Sequence, residues 1–340
     1  MQQRAIVLPM RLLMVFFLSA AELLAMVLPV LSWHEKHLMP GGVSGGASAV
    51  LSGQLVYAGG TTWRDQVKHW LPDTLVYDPH KDAWTTGPSL PEPLAYGAFV
   101  STPHSLEVLG GASDAGVSRK SWRLDAGAKQ WTATGQLPQG SLFAAAALLH
   151  GDLYLAGGCD DGDLHVCNTA VWRRNHAGAW EKVSDMPDGA VAMSASTEVN
   201  NQLYVFGGCS PTAPTGVRNR NDALRYDPQA NHWTVLHPVP VAARGMTAVS
   251  LNDHEVLVAG GYTDSASGFS DAAFIYDTVA DRYTPTTPLP LPAMGMELVS
   301  HAGHLWALGG EDKPRHRNDR IFEAKLPKFP GSARQGFLSR

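Results

Sequence analysis

The sequence contains few charged residues and few cysteines. Lys, Arg, Asp and Glu make up 17% of the 340 residues, hydrophobic residues make up 44%, and the formal net charge is -5. This balance excludes an intrinsically disordered chain and gives no general attraction to nucleic acid, so we expect no nucleic-acid partner. Glycine and proline are abundant instead, with 34 and 23 residues and no collagen-like period. Together with 10 Trp, 9 Tyr and 10 Phe they indicate many short strands joined by tight turns, and they argue against a helical bundle.

The three cysteines cannot all pair within the chain. Cys159 and Cys167 are close enough in sequence to bridge one loop, which would leave Cys209 free. The alternative is three unpaired, half-buried thiols, and the spacing does not separate the two. No CxxC pair and no Cys/His zinc spacing occurs, so the sequence predicts no metal site and no cofactor.

The first thirty residues differ in character from the rest. Arg4 and Arg11 precede the wholly apolar segment 12–18 (LLMVFFL), and small residues follow at 19–21. This order is typical of a secretory signal peptide. We therefore predict a signal peptide over residues 1–27, with the mature chain starting between Glu22 and Leu28. The mature protein is then expected in the periplasm, without stable membrane insertion.

Two alternatives to the signal peptide stay open. One is a membrane anchor that continues to Leu31, although Glu22 and Pro29 interrupt its apolar run. The other is translation from Met26, which would give a cytosolic protein.

An apolar, strand-like run that ends in two glycines occurs six times. The second glycines are Gly60, Gly111, Gly158, Gly208, Gly261 and Gly310, with spacings of 51, 47, 50, 53 and 49 residues. Five of the units continue with an aromatic residue that opens a further strand, namely Trp84, Trp131, Trp180, Trp233 and Tyr283. These features resemble the kelch-repeat family, whose repeat of about 50 residues is one four-stranded blade. The resemblance covers nearly all of residues 33–325 and implies an all-β, six-bladed propeller.

The sixth unit lacks its outer strand. No aromatic-led strand follows residues 318–322, whereas residues 31–40, which include Trp33, have the form of an outer strand and a turn. An N-terminal strand that completes the last blade removes the open sheet edges of a linear array. We therefore predict one propeller domain over residues 28–326, closed by the N-terminal strand, and a C-terminal tail over residues 327–340.

Polar residues near the hub are candidates for a site, because the loops after the glycine pairs meet the turns into the inner strands at one mouth of the channel. Arg244 is a polar exception among the small and apolar residues that open the inner strands. It either faces an anionic ligand or is bound by loop carbonyls. Glu311 and Arg317 lie in the mixed-charge loop 310–319, where a carboxylate beside cations suits a general base or an ion pair.

The loop after the first glycine pair holds two indoles, Trp63 and Trp70, with charged residues such as Lys68 between them. Indole faces over polar groups suit the apolar face of a sugar ring, although a solvated loop between blades has the same composition.

Several stretches resemble the N-acetylneuraminate epimerase family of bacterial sialic acid mutarotases, and especially its circularly permuted branch. They are residues 41–47 (GGVSGGA), 68–73 (KHWLPD), 90–97 (LPEPLAYG) and 310–319 (GEDKPRHRND). In that family the glutamate of the last stretch is the proposed proton acceptor, with the arginine beside it. The resemblance therefore gives these roles to Glu311 and Arg317. We predict substrate-binding roles for Lys68 and Tyr96, which lie in two of these stretches, and for Trp63 and Arg244.

The resemblance implies a mutarotase that opens a cyclic sugar and closes it on the other face, with a small sugar, sialic acid included, as its partner. Such a reaction needs a base and a proton donor but no metal or redox cofactor. A sugar carboxylate would call for Arg244 or Arg317. The alternatives are a non-catalytic propeller that binds carbohydrate or protein, and a copper enzyme similar to galactose oxidase. Convergence of Glu311, Arg317 and Arg244 in one pocket would favour the mutarotase over the binding protein.

Overall fold

The computed structural model describes residues 30–212, 216–264, 266 and 268–326. The predicted signal peptide or anchor, residues 1–27, and the predicted tail, residues 327–340, lie outside the described residues. Within the described ranges every regular element is a β-strand, as the sequence predicts. These ranges contain no helix of the length and apolarity that a membrane span needs.

The described part of the chain forms 32 strands. They are β1 (Trp33–Glu35), β2 (Ala47–Leu51), β3 (Gln54–Ala58), β4 (Thr61–Arg64), β5 (Val67–Trp70), β6 (Thr74–Asp78), β7 (Ala83–Thr86), β8 (Ala98–Thr102), β9 (Ser105–Leu109), β10 (Ala112–Ser113), β11 (Gly116–Val117), β12 (Lys120–Asp125), β13 (Thr132–Gln136), β14 (Ala145–Leu149), β15 (Asp152–Ala156), β16 (Ala170–Arg174), β17 (Trp180–Asp185), β18 (Ala195–Val199), β19 (Gln202–Phe206), β20 (Cys209–Pro211), β21 (Val217–Asn219), β22 (Ala223–Asp227), β23 (His232–Val235), β24 (Thr247–Ser250), β25 (Glu255–Ala259), β26 (Ala273–Asp277), β27 (Arg282–Pro285), β28 (Glu297–His301), β29 (His304–Leu308), β30 (Glu311–Lys313), β31 (His316–Arg317) and β32 (Ile321–Lys325).

Six four-stranded antiparallel sheets form the blades of a propeller. From the inner to the outer strand they are β2-β3-β6-β7, β8-β9-β12-β13, β14-β15-β16-β17, β18-β19-β22-β23, β24-β25-β26-β27 and β28-β29-β32-β1, which we number blades 1 to 6. The inner strands contact one another in ring order, and the inner strand of blade 6 contacts that of blade 1. The predicted six-bladed propeller is therefore confirmed.

The N-terminal strand closes the last blade. β1 pairs antiparallel with β32, with Trp33 opposite Ala324 and Glu35 opposite Phe322. The Trp33 indole donates a hydrogen bond to the Pro288 carbonyl of blade 5 at 3.1 Å. The first and last described strands thus share one sheet, which gives the sixth blade its fourth strand and confirms the predicted closure.

The glycine pairs fit the hub because each second glycine adopts a left-handed backbone conformation, with φ between 88° and 104°. Non-glycine residues seldom adopt this conformation. At Gly60 a Cβ would also lie 2.9 Å from the Ser44 carbonyl oxygen. The pair therefore ends the second strand of a blade and lets the chain run close to the turn that enters the inner strand.

Outer-strand tryptophans of blades 1 and 2 form hydrogen bonds to the blade before them. The Trp131 indole of blade 2 donates to the Pro88 carbonyl at 2.8 Å. The Trp84 indole of blade 1 donates to the His37 carbonyl, on the segment that follows β1, at 2.9 Å. These contacts place apolar surface and one satisfied indole N–H between neighbouring blades.

Candidate functional site

The turns into the inner strands and the residues after the glycine pairs meet at one mouth of the propeller. In each blade one residue of the turn pairs through the backbone with the residue that follows the glycine pair. The six pairs are Ser44–Thr61, Ala95–Ala112, Leu142–Cys159, Ala192–Cys209, Arg244–Tyr262 and Met294–Glu311. The side chains at these positions therefore surround the same opening.

A channel of about 960 Å³ runs inward from this mouth. The six inner strands form its wall, and Lys68, Tyr96 and Glu311 line it at the mouth. Residues of the turns after the inner strands, such as Ser52 and Pro103, line its far end. A volume of this size falls within the range of small-molecule pockets.

A belt of left-handed residues connects the blades at the mouth. Its members are Gly45, Tyr96, Phe143, Met193, Gly245 and Gly295, with φ between 54° and 75°. The Tyr96 amide donates to the Gly45 carbonyl at 2.7 Å, so the belt links blade 2 to blade 1. A Cβ at residue 45 would overlap the Tyr96 ring, and the glycine therefore makes room for the tyrosine to lie over blade 1.

Glu311 and Arg317 face each other across the β30–β31 hairpin. The Arg317 guanidinium forms an ion pair with the Glu311 carboxylate, and the two side chains are only 5% and 14% exposed. The other carboxylate oxygen of Glu311 accepts a hydrogen bond from the Arg315 amide at 3.1 Å. The hairpin thus brings together the two residues that the sequence predicts as catalytic.

Two hydroxyls from neighbouring blades complete this cluster. Arg317 donates through Nε to Thr61 Oγ1 at 3.3 Å and through Nη2 to Tyr96 Oη at 3.1 Å. The Thr61 and Tyr96 hydroxyls are 3.0 Å apart. Glu311, Arg317, Thr61 and Tyr96, which we call the mouth cluster, therefore span blades 6, 1 and 2.

Lys68 adds a cation beside the mouth cluster. Its Nζ lies 4.2 Å from the centre of the Trp70 ring and 4.6 Å from that of Tyr96. The ammonium group lines the channel, and the two aromatic faces hold it there. Trp63, opposite Lys68 in the β4–β5 hairpin, instead packs against the Arg315 guanidinium at 5.6 Å.

Arg244 lies apart from the mouth cluster. Its Nη1 donates to Asn219 Oδ1 at 2.8 Å and lies 3.4 Å from Asp264 Oδ1, while the guanidinium stacks 4.5 Å from the Tyr262 ring centre. Side chains of blades 4 and 5 thus satisfy this arginine. Convergence of Glu311, Arg317 and Arg244 in one pocket is the criterion that favours a mutarotase over a binding protein. The structure brings Glu311 and Arg317 together, whereas Arg244 contacts other residues.

Sequence reasoning missed two polar residues of the site. Thr61 holds the position in blade 1 that Glu311 holds in blade 6, so the repeat alignment itself could have indicated it. Glu297 begins β28 and lines the channel, where its Oε2 accepts a hydrogen bond from the Ser48 hydroxyl at 3.0 Å. Burial raises the pKa of Glu297 from 4.5 to about 7. The only sequence signal for Glu297 is that it is an acidic residue in an apolar inner strand.

The mouth is apolar at blades 3 and 4. A disulfide joins Cys159 to Cys167, and Cys209 is a buried free thiol whose pKa burial raises to about 11. Phe143 and Met193 pack against the cluster of Cys159, Ala192 and Cys209. Across the described ranges no group of three or more His, Cys, Asp or Glu side chains is placed to hold a metal ion.

Six blades around a channel with a polar cluster at one mouth define the chain as a β-propeller of the repeat-built class. It belongs to the kelch-repeat family, because residues 143–326 match the family model described as the KLHDC2/KLHL20/DRC7 Kelch-repeats domain.

Similar proteins differ in how much of the chain they match. The Kelch-like protein terF of Aspergillus terreus is 26% identical over 249 residues, which are 69% of this chain and 53% of that protein. Kelch-like protein 35 of Mus musculus is 28% identical over 208 residues, 61% of this chain and 34% of that protein. N-acetylneuraminate epimerase of Salmonella enteritidis is 34% identical over 87 residues, 25% of this chain and 23% of that protein. The chain thus spans about half or less of the length of these relatives.

Proposed function

We propose that the channel mouth binds a small sugar and interconverts its two anomers, as a mutarotase does. The observation that carries the proposal is the mouth cluster, in which a carboxylate, a guanidinium and two hydroxyls meet at the entrance of a channel of about 960 Å³. The local similarity to N-acetylneuraminate epimerase supports a sialic acid-like sugar as the substrate. Placement in the circularly permuted branch of that family rests on the order of the sequence motifs alone.

The chemistry requires one proton to leave the substrate and another to enter it. A base takes the proton of the anomeric hydroxyl, the bond between the anomeric carbon and the ring oxygen breaks, and a donor protonates the ring oxygen. Closure on the other face of the carbonyl reverses these transfers. We assign the base to Glu311, whose carboxylate lies at the mouth, and we assign to Arg317 the task of fixing that carboxylate in place.

A sugar carboxylate would need a cation that is not already engaged. Arg317 is occupied by Glu311, Thr61 and Tyr96. The Lys68 ammonium, by contrast, contacts only aromatic faces among its described partners and lines the channel. We therefore assign the substrate carboxylate to Lys68, and we assign Tyr96 to packing against the sugar ring.

The test is nuclear magnetic resonance exchange spectroscopy of freshly dissolved N-acetylneuraminate and of an aldose, with and without the protein. Glu311→Gln keeps the size of the side chain and removes its basicity, so it should slow the catalysed exchange by about 10²- to 10⁴-fold. Asp312→Asn is the matched control, since this neighbouring carboxylate contacts His316 and does not line the channel. A wild-type protein that leaves the exchange of both sugars at the buffer rate would contradict the proposal.

The second candidate is a non-catalytic kelch propeller that binds carbohydrate or protein. It is favoured by the relatives that match most of the chain, which are Kelch-like proteins, whereas the epimerase match covers a quarter of it. The contacts of Arg317 with Glu311, Thr61 and Tyr96 also suit a structural ion pair. On this candidate the wild type does not accelerate exchange, and Glu311→Gln changes only the affinity for the ligand.

We further propose export to the periplasm, with membrane anchoring as the alternative. The Cys159–Cys167 disulfide supports an oxidising compartment, because such bonds persist outside the cytosol. Mass spectrometry of the protein from cells should find a mature chain that begins between Glu22 and Leu28. Recovery of intact Met1 in the soluble fraction would contradict export.

A further inference from the structure

Glu297 is a carboxyl group in the channel wall for which the described residues provide no cationic partner. Its hydrogen bond comes from the neutral Ser48 hydroxyl of the neighbouring blade. Glu107, a buried glutamate elsewhere in the ring, shows the usual solution, since its two oxygens accept hydrogen bonds from Arg174 at 2.7 and 2.8 Å. A buried carboxyl with a hydroxyl and no cation is stabilised in its protonated form.

The elements packed around Glu297 bring no lysine or arginine to it. The flanking inner strands β2 and β24 carry no titratable side chain. On its own strand and on β29, the histidines His301 and His304 pair with each other at the opposite end of the sheet. A titratable group that does interact with Glu297 is the buried Tyr57 phenol, which is influenced electrostatically by both Glu297 and Arg317. Burial alone therefore raises the pKa of Glu297 to about 7, and the Ser48 hydrogen bond only lowers it in part.

We propose that Glu297 is the proton donor of the site and protonates the ring oxygen of the sugar whose anomeric hydroxyl Glu311 deprotonates. This inference rests on the proposed mutarotase function. In ring opening, the Glu297 proton passes to the ring oxygen as the bond between the anomeric carbon and that oxygen breaks, and Glu311 receives the hydroxyl proton as the carbonyl forms. In ring closure, the attacking hydroxyl returns its proton to Glu297, and Glu311 returns its proton to the new anomeric oxygen.

The backbone places the two glutamates on the same part of the channel wall. Met294 pairs with Glu311 through two hydrogen bonds of 2.9 and 2.8 Å. Glu297 follows Met294 by three residues, which span at most about 10 Å. Both side chains line the same channel, Glu311 at its mouth and Glu297 further in. The proposal therefore requires a sugar that extends from the mouth into the channel.

The two carboxyls also differ in their surroundings in the way that acid–base catalysis requires. Glu311 is paired with the Arg317 guanidinium. Glu297 is half-buried, accepts a hydrogen bond from the Ser48 hydroxyl and has no cationic partner among the described residues. Two carboxyl groups in different environments can take the separate roles of base and acid.

The test is the pH dependence of anomer exchange, measured with N-acetylneuraminate as the probe. For the wild type we expect the catalysed rate to fall above about pH 7, as Glu297 loses its proton. Glu297→Gln should slow exchange by about 10²-fold or more and abolish this alkaline decline. Glu297→Asp retains an acid and should keep the decline at a reduced rate. Glu198→Gln is the matched control, since Glu198 lines the far part of the same channel on β18 and should leave the whole profile unchanged.

The outcomes separate this inference from the proposed function. If the wild type accelerates exchange and Glu297→Gln keeps both the rate and the alkaline decline, Glu297 is not the donor and the mutarotase proposal stands. If the wild type leaves exchange at the buffer rate, both are overturned. If Glu297→Gln does not fold, as judged by circular dichroism, an alkaline decline retained in Glu297→Asp supports the role, and its loss there overturns it.

Discussion

Replacing Glu297 by glutamine should stabilise the propeller at high pH and leave its stability unchanged at low pH. Burial raises the pKa of this carboxyl from its ordinary 4.5 to about 7 in the folded protein. Below pH 4.5 the carboxyl is protonated in both the folded and the unfolded chain, and it adds no penalty. Between pH 4.5 and about pH 7 the carboxyl has lost its proton in the unfolded chain but keeps it in the folded protein. The free energy of unfolding therefore falls as the pH rises through this range, and it levels off above the pKa of the folded state.

The size of the effect follows from the same two pKa values. A rise from 4.5 to about 7 corresponds, at about 1.36 kcal/mol per pH unit, to at most about 3 kcal/mol. Glu297 is only half-buried, and its exposure to solvent reduces this figure, so we expect about 1 to 3 kcal/mol at pH 8. Glutamine has no proton to lose and retains an oxygen that can accept the Ser48 hydrogen bond.

The assay is urea denaturation followed by tryptophan fluorescence at about pH 4, 6 and 8. The free energy of unfolding of Glu297→Gln, minus that of the wild type, should increase across this series. Glu198→Gln, in the same channel but exposed to solvent, should show a difference that stays constant. A difference for Glu297→Gln that is constant, or that decreases with pH, would refute burial as the dominant influence on this carboxyl.

Three further predictions concern the fold. Gly309→Ala should destabilise the protein by more than about 2 kcal/mol, because its Cβ would overlap a backbone oxygen, whereas Gly303→Ala, also at positive φ but in open space, should cost only about 1 kcal/mol by urea denaturation. Deletion of residues 1–40 should lower the thermal midpoint strongly and deletion of 1–29 should not, since only the first removes β1. Thiol titration after denaturation without reductant should find one free cysteine, Cys209, per chain, and three would contradict the disulfide.

The ring could be predicted from the sequence because its signals are local and repeated. A glycine pair, an aromatic residue and a turn recur in each unit, and each acts within its own blade or on the next one. The missing sixth outer strand and the early Trp33 strand then required the closure that the β1–β32 pairing confirms. Glu311 and Arg317 also lie together for a local reason, since only five residues separate them in one hairpin.

The rest of the site depends on contacts between blades, which spacing does not reveal. Arg244 faces Asn219 and Asp264, which are distant in sequence and satisfy it in the folded ring. Glu297 lies in a strand whose other residues fit an ordinary inner strand, and its burial arises only when β2 and β24 pack on either side. The raised pKa of Glu297 therefore depends on the closed ring.

The mouth cluster lies across the junction where the ring closes. Thr61 belongs to blade 1 and Arg317 to blade 6, so their hydrogen bond joins the two ends of the propeller. Val43 strengthens the same junction through backbone hydrogen bonds with Gly310 at 2.9 Å and Asn318 at 3.2 Å. These contacts supplement the chain connection through residues 36–46, which joins β1 of blade 6 to β2 of blade 1, and the non-covalent β1–β32 pairing that closes blade 6. Loosening of the closure should therefore disturb the position of Arg317, and with it the Glu311 carboxylate, before it disturbs the opposite side of the ring.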